Sequence, residues 1–251
     1  DLEDGRCAAL LAGGEIHGSR SQRRVLRDRR VRDRTLCLDE VVPRRHCHLV
    51  PARAASQNDR AEDGGAGQYV RRGMSFIDVD GPGHGATLRH HNLYAPPDSE
   101  RVAKAVLDYL VNRPDIDPAR IGLHGSSMGG YSGPRCATAE KRIRAVAVWS
   151  GAYNLVDDIF DYYPPIQERL RWLMGAKDLK DAREKIKEFT LVGRANRIEC
   201  PLLVGYSIDD RVMDPRGALN LYENAVNSPD RSMVDGVGHG QKKFDRRTYI
   251  A

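Results

Sequence analysis

The chain has 251 residues, 40% hydrophobic and 30% charged, with a formal net charge of +5. That length suits one sizeable α/β domain and is too short for two of ordinary size. No apolar run reaches the about 18 residues that mark a transmembrane helix, so no membrane partner is expected, and a charge of this size bears mainly on solubility and loose association. The first residues, Asp1 to Arg6, have no initiator methionine and no apolar centre of a signal peptide, as in a fragment. Five cysteines (Cys7, Cys37, Cys47, Cys136 and Cys200) show no metal-like spacing and cannot all pair. A reduced, cytoplasmic setting is therefore the expectation.

Residues 1–66 differ from the rest. They hold thirteen arginines but no Lys, Phe, Trp, Tyr or Met, and Arg20 to Arg34 carries eight arginines against Asp28 and Asp33. Such a stretch offers little large apolar surface, and its like charges repel. Three readings compete. It is a disordered basic arm, a nucleic-acid-binding helix with Arg23, Arg27, Arg30 and Arg34 on one face, or a segment translated out of frame from GC-rich DNA.

From Gly67 onward the pattern is regular. Met74–Val79 reads as a strand ending at the turn Asp80-Gly81-Pro82-Gly83-His84-Gly85, where His84 shapes the loop. Asp98 or Ser99 can cap a helix bearing Val102, Val106, Tyr109 and Leu110 at helical spacing. Arg113–Pro118 breaks that helix, and Arg120–His124 is a short apolar strand. It enters Gly125-Ser126-Ser127-Met128-Gly129, a G-x-S-x-G sequence between strand and helix. Such a turn forces unusual backbone angles on its central serine, and the flanking glycines prevent collision. Ser127 is the candidate nucleophile, and the Met128 N–H one oxyanion donor.

Ile143–Ser150 reads as a further strand, followed by an insertion at about 152–197. Tyr153, Phe160, Tyr162, Tyr163 and Trp172 crowd its first half, and Glu168–Met174 and Asp181–Leu191 look like amphipathic helices. Pro201–Tyr206 is a strand leading into Asp209-Asp210. Asp210 is preferred as the triad acid on motif position, with Asp209 the competitor. Gly217–Val226 reads as a helix, Met233–Asp235 as a strand, and His239 follows in Gly238-His239-Gly240. Gln241–Ala251 begins a last helix. Alternating strands and helices argue for a parallel, doubly wound sheet, on whose one edge Ser127, Asp210 and His239 can converge. The chain order Ser, Asp, His is that of α/β-hydrolases.

Over about residues 67–251 the chain resembles the α/β-hydrolases grouped with 2,6-dihydroxypseudooxynicotine hydrolase, fungal polyketide-shortening hydrolases and the esterases near them. The residues carrying this are Tyr69–Met74, Asp80–Gly85, the Ser127 elbow, Asp209-Asp210 and Gly238–Gly240. The resemblance implies an eight-stranded, mostly parallel sheet, a helical lid after the sixth strand, and hydrolysis of carbon–carbon or ester bonds. A lid there lies over the nucleophile, so Tyr153, Tyr162, Tyr163 and Trp172 are candidate substrate contacts, or else form the lid's own small core. Asp158 is a candidate for a substrate hydroxyl, with a solvated loop acid as its alternative.

The family's early strands and its oxyanion loop belong in residues 1–66, where the sequence shows no clear equivalents. Out-of-frame translation is accordingly the favoured reading of that stretch. The leading function is a serine hydrolase cleaving a carbon–carbon bond beside a ketone, or an ester, in an aromatic or polyketide-like small molecule. A carboxylesterase or acyl-peptidase with the same triad is the runner-up. A basic nucleic-acid-binding protein on a hydrolase-like scaffold is the reading from another class, supported only by the arginine run. No cofactor is implied, because no phosphate-cradling glycine loop or metal-ligand cluster occurs. Homodimerisation is left open.

Overall fold

The computed structural model describes residues 69, 72–79 and 81–239, with backbone alone for Asp78, Ala86 and three strands at 23–26, 36–39 and 47–51. The strands are β1 (Arg23–Leu26), β2 (Leu36–Asp39), β3 (Cys47–Pro51), β4 (Ser75–Val79), β5 (Ile121–Ser126), β6 (Ala145–Trp149), β7 (Leu202–Tyr206) and β8 (Arg231–Asp235). Six of them form one sheet in the order β4-β3-β5-β6-β7-β8, with every pairing parallel. β1 and β2 form a separate antiparallel pair. The single eight-stranded sheet implied by the resemblance is thus divided among the described residues. An antiparallel pair closes through a direct turn, whereas each parallel pairing needs a crossover.

Two expectations for the first 66 residues are corrected. An early strand does join the sheet, because β3 sits between β4 and β5. Arg23 lies in a strand, so it does not open the helical face expected of Arg23, Arg27, Arg30 and Arg34. The other three arginines lie outside the described residues, as does the helix expected from Gln241.

Helices pack on the parallel sheet because their apolar positions recur at helical spacing. In α2 (Glu100–Leu110), following α1 (Gly85–His91), Ala103, Val106, Leu107 and Leu110 are all buried. Ser99 stands at its N-terminus without capping it; the hydroxyl donates instead to the Ser132 carbonyl at 3.4 Å. α3 (Met128–Ala137) lies close on the sheet, since a Cβ at Gly133 would come within 2.7 Å of Leu123. Pro134 sits inside α3 and cannot donate to the Gly130 carbonyl one turn back. That carbonyl instead accepts the Ala152 N–H at 3.4 Å.

The insertion between β6 and β7 holds a short π-turn (Val156–Phe160), α4 (Gln167–Leu173) and α5 (Leu179–Ile186). Its ends are drawn together by a bridge between Asn154 and Thr190, with Leu191 N–H donating to Tyr153 O at 2.7 Å. Leu170 and Leu173 of α4 and Ala182 and Ile186 of α5 join the core that runs under the sheet. α6 (Pro215–Asn224) links β7 to β8. The strand pairs Ser126–Trp149, Trp149–Gly205 and Gly205–Val234 are in register. Ser127, Ser150 and the loops after β7 and β8 therefore leave the sheet side by side at one edge.

Candidate active site

The elbow is a single residue wide. β5 ends at Ser126, α3 begins at Met128, and Ser127 between them has φ 59° and ψ −118°. This backbone is strained for a residue with a Cβ. It holds because nothing larger than hydrogen stands nearby: a Cβ at Gly125 would lie 2.2 Å from Gly129 O, and one at Gly130 2.4 Å from Ser150 O. Ser127 N–H donates to Trp149 O at 3.0 Å, fastening the elbow to the end of β6. Met128 opens α3, where the first backbone N–H groups have no intrahelical acceptor and the helix dipole favours negative charge.

The three side chains picked out by order along the chain meet in space. Ser127 Oγ is 2.9 Å from His239 Nε2, and His239 Nδ1 lies 2.9 Å and 3.0 Å from the two Asp210 carboxylate oxygens. A carboxylate only accepts, so Nδ1 carries the imidazole proton and Nε2 is left to accept from the serine hydroxyl. Asp210 is buried, its side chain 1% exposed against 24% for His239. Its Oδ1 accepts from the N–H groups of Val212 at 2.9 Å and Met213 at 3.0 Å, and its Oδ2 accepts from Ser150 Oγ at 2.8 Å. Burial pushes the Asp210 carboxyl up, but the hydrogen bonds from His239, Met213 and Val212 outweigh it and hold the group below the usual carboxylate range.

Asp209, the competing acid, does another job. It accepts the Gly238 N–H at 2.7 Å, and the Ser207 hydroxyl lies against its carboxylate. The Ser207 oxygen also accepts the Gly238 N–H at 3.0 Å and faces Gly236 O at 2.7 Å. Ser207 and Asp209 thus fix the backbone of the histidine loop, while Asp210 fixes the imidazole. The Ser207 contact and the Gly238 N–H together hold the Asp209 carboxyl low.

The lid residues separate into distinct roles. Tyr162 donates its hydroxyl to the backbone carbonyl of Asp210 at 2.9 Å, tying the lid to the acid loop. Phe160 is in the core, Tyr153 and Tyr163 are half-buried, and Trp172 is exposed on α4. Asp158 is a buried carboxyl, which corrects the alternative of a solvated loop acid. It is 5% exposed and accepts from the N–H groups of Tyr153 at 2.6 Å and Asn154 at 2.8 Å. A Cβ at Gly217 would lie 2.3 Å from its Oδ2, and its carbonyl accepts the Asp214 N–H at 2.8 Å. Burial pushes the Asp158 carboxyl up to about 6. Lid and acid loop are therefore joined by two hydrogen bonds, Tyr162 to Asp210 and Asp214 to Asp158.

His84 shapes its loop as expected, with Nδ1 3.0 Å from Pro82 O and burial favouring the neutral ring. Behind Met128 an apolar cavity of about 70 Å³ is lined by Val79, Pro82, Val102, Cys136 and Phe189 among others. Burial pushes the Cys136 thiol up to about 12, leaving it inert. β3 runs parallel beside β5, so the chain leaves Pro51 at the edge where Ser127 stands. The loop that follows Pro51 lies outside the described residues. Among the described residues no helix is long and apolar enough to cross a membrane.

The sequence reading missed Ser150, Ser207 and the part played by Asp209. A usable signal existed for Ser150: it is the first residue past β6, the strand flanked by those of Ser127 and Asp210.

The profile of the prolyl oligopeptidase family matches residues 69–247. A hydrolase named LUC6 from a Fusarium species is 28% identical over 189 residues, covering 61% of this chain and 45% of that protein. The 2,6-dihydropseudooxynicotine hydrolase of Paenarthrobacter nicotinovorans is 29% identical over 144 residues, 56% of this chain and 38% of that protein. The chain spans about half the length, or less, of the curated relatives it matches. Among solved structures, a 2,6-dihydroxy-pseudo-oxynicotine hydrolase superposes with a TM-score of 0.69 at 22% identity, over 82% of this chain and 57% of the other. Acetyl xylan esterase 1 from Thermoanaerobacterium sp. JW/SL YS485 gives 0.59 at 17% identity, over 91% and 83%. With the elbow between β5 and α3 and a parallel sheet behind it, the chain belongs to the prolyl oligopeptidase family of α/β-hydrolases.

Proposed function

We propose that this chain is a serine hydrolase in which Ser127, His239 and Asp210 form the catalytic triad. The substrate read from the resemblance is a ketone or ester in an aromatic or polyketide-like small molecule. The observation that carries the reading is the unbroken hydrogen-bonded run from Ser127 Oγ through both imidazole nitrogens to a buried carboxylate.

Ser127 Oγ attacks the carbonyl carbon while His239 Nε2 takes its proton. The resulting imidazolium is stabilised by Asp210, which stays ionised because four donors surround it. The Met128 N–H, at the positive end of α3, faces the oxyanion. Collapse of the tetrahedral adduct breaks the bond from the carbonyl carbon to its carbon or oxygen leaving group, which takes the proton from His239. Water, deprotonated by His239, then releases the acyl group from Ser127. Of the lid candidates, Tyr162 acts here by holding the acid loop, and Tyr153, Tyr163 and Trp172 remain proposed substrate contacts.

Labelling with a fluorophosphonate probe tests the triad without assuming a substrate. The wild-type chain should label and Ser127→Ala should not; labelling that survives in Ser127→Ala removes Ser127 from the mechanism. Aryl esters, β-diketones and aminoacyl amides assayed side by side separate carbon–carbon cleavage from the esterase and acyl-peptidase alternatives.

A further inference from the structure

Two consecutive residues, Trp149 and Ser150, touch both ends of the proposed triad. Trp149 O accepts the N–H of Ser127, and Ser150 O rests against Gly130 so closely that a Cβ there would lie 2.4 Å away. On the other side the Trp149 ring fills the place of a side chain at Gly205, at the end of the strand that carries the acid. Ser150 Oγ donates to Asp210 Oδ2 at 2.8 Å, in a bond buried from water.

The backbone at this corner makes the serine informative. Ser150 has φ 49°, in the left-handed region, and is 4% exposed. Glycine adopts such angles without strain and asparagine tolerates them, whereas serine does so at a cost. A chain needing only the turn is better served by glycine at this position. What serine adds is one hydroxyl, aimed at Asp210 Oδ2, the carboxylate oxygen that also faces His239 Nδ1. Asp210 Oδ1 already has the N–H groups of Val212 and Met213. Without the Ser150 hydroxyl, Asp210 Oδ2 keeps only the imidazole that the carboxylate has to orient, and no fixed group of the protein frame holds that oxygen in place.

We infer that Ser150 is a positioning residue: its hydroxyl fixes the Asp210 carboxylate in the plane that orients His239 toward Ser127, and its strained backbone is retained for that purpose. This rests on the triad proposed above. Because the same corner holds the elbow through Trp149 O, it sets the distance between acid and nucleophile directly, without passing through the lid.

The test compares Ser150→Ala with Ser150→Gly, using 4-nitrophenyl acetate as the probe and Ser127→Ala as the control. Alanine keeps the strain and loses the hydroxyl; glycine loses both. The expected result is a fall in kcat of about tenfold in both variants, as for loss of a hydrogen bond to a charged group, with KM changed by less than about twofold. The glycine variant should melt no lower than the alanine variant. Wild-type kcat in Ser150→Gly, or a loss carried by KM alone, overturns the inference while leaving the triad standing. Ester hydrolysis that does not depend on Ser127 overturns the triad and this inference together.

Discussion

The elbow and the acid corner stand at the same edge of the sheet, yet they are held by opposite means. At the elbow, position comes from missing atoms: Gly125 and Gly130 let backbone approach backbone at distances that no side chain permits. At the acid corner, position comes from added ones, with polar contacts that tie Ser150, Tyr162, the stretch Ser207–Asp210 and the Gly236–Gly238 backbone together. A site built by steric exclusion fails all at once when a methyl group intrudes. One built from several hydrogen bonds should lose function in steps.

Gly125→Ala should be the most damaging change. Its Cβ meets the Gly129 carbonyl on rigid backbone, and overpacking of this kind costs more than about 3 kcal/mol. A thermal melt should show loss of the cooperative transition or a large drop in its midpoint; a wild-type midpoint would break the contrast. Asp210→Asn comes next. It should fold and lose about 10⁴-fold in kcat, because an amide cannot enforce the imidazole tautomer, as read from ester turnover.

Asp158 probes the lid side of the corner. Burial pushes its carboxyl up to about 6 in the folded chain, from an ordinary value of about 3.8. The folded state therefore binds the proton more tightly than the unfolded state. The stability this contributes is full below about pH 3.8 and is lost as pH rises through about 6. Asp158→Asn, which keeps an oxygen for the N–H groups of Tyr153 and Asn154, should remove that loss. At pH 8 it should melt higher than wild type by an amount on the order of 2 kcal/mol, and at pH 4 the two should converge. The smallest effect is expected from Asp209→Ala. Freeing Gly238 loosens the histidine loop without removing the imidazole's partner, and kcat should fall about fivefold. A loss as large as that of Asp210→Asn would mean that the two acids are interchangeable.

The same contrast explains what could be read from the chain. Glycine spacing around Ser127, and an acid and a histidine each placed after a short apolar strand, leave local marks, so the elbow, Asp210 and His239 were all legible. Ser150 and Asp210 are sixty residues apart, and a hydrogen bond at that separation leaves no periodic trace. Asp158 looked available to a substrate because nothing local shows that Gly217 packs over it. β3 escaped notice because five residues ending in proline, Cys47 to Pro51, carry neither alternation nor a long apolar run. Trp172 drew attention through its place in the insertion after β6; that α4 turns Leu170 and Leu173 inward and the indole outward has to be seen in the structure.

The proline within α3 gives an observable handle on this architecture. Because Pro134 has no N–H, the Gly130 carbonyl accepts from Ala152 at the start of the lid insertion. The amide hydrogen of Ala152 is thus sheltered from solvent exchange only while α3 and the exit of β6 stay together. Its exchange rate is a local gauge of separation between those two parts, readable in a protein that is otherwise fully folded.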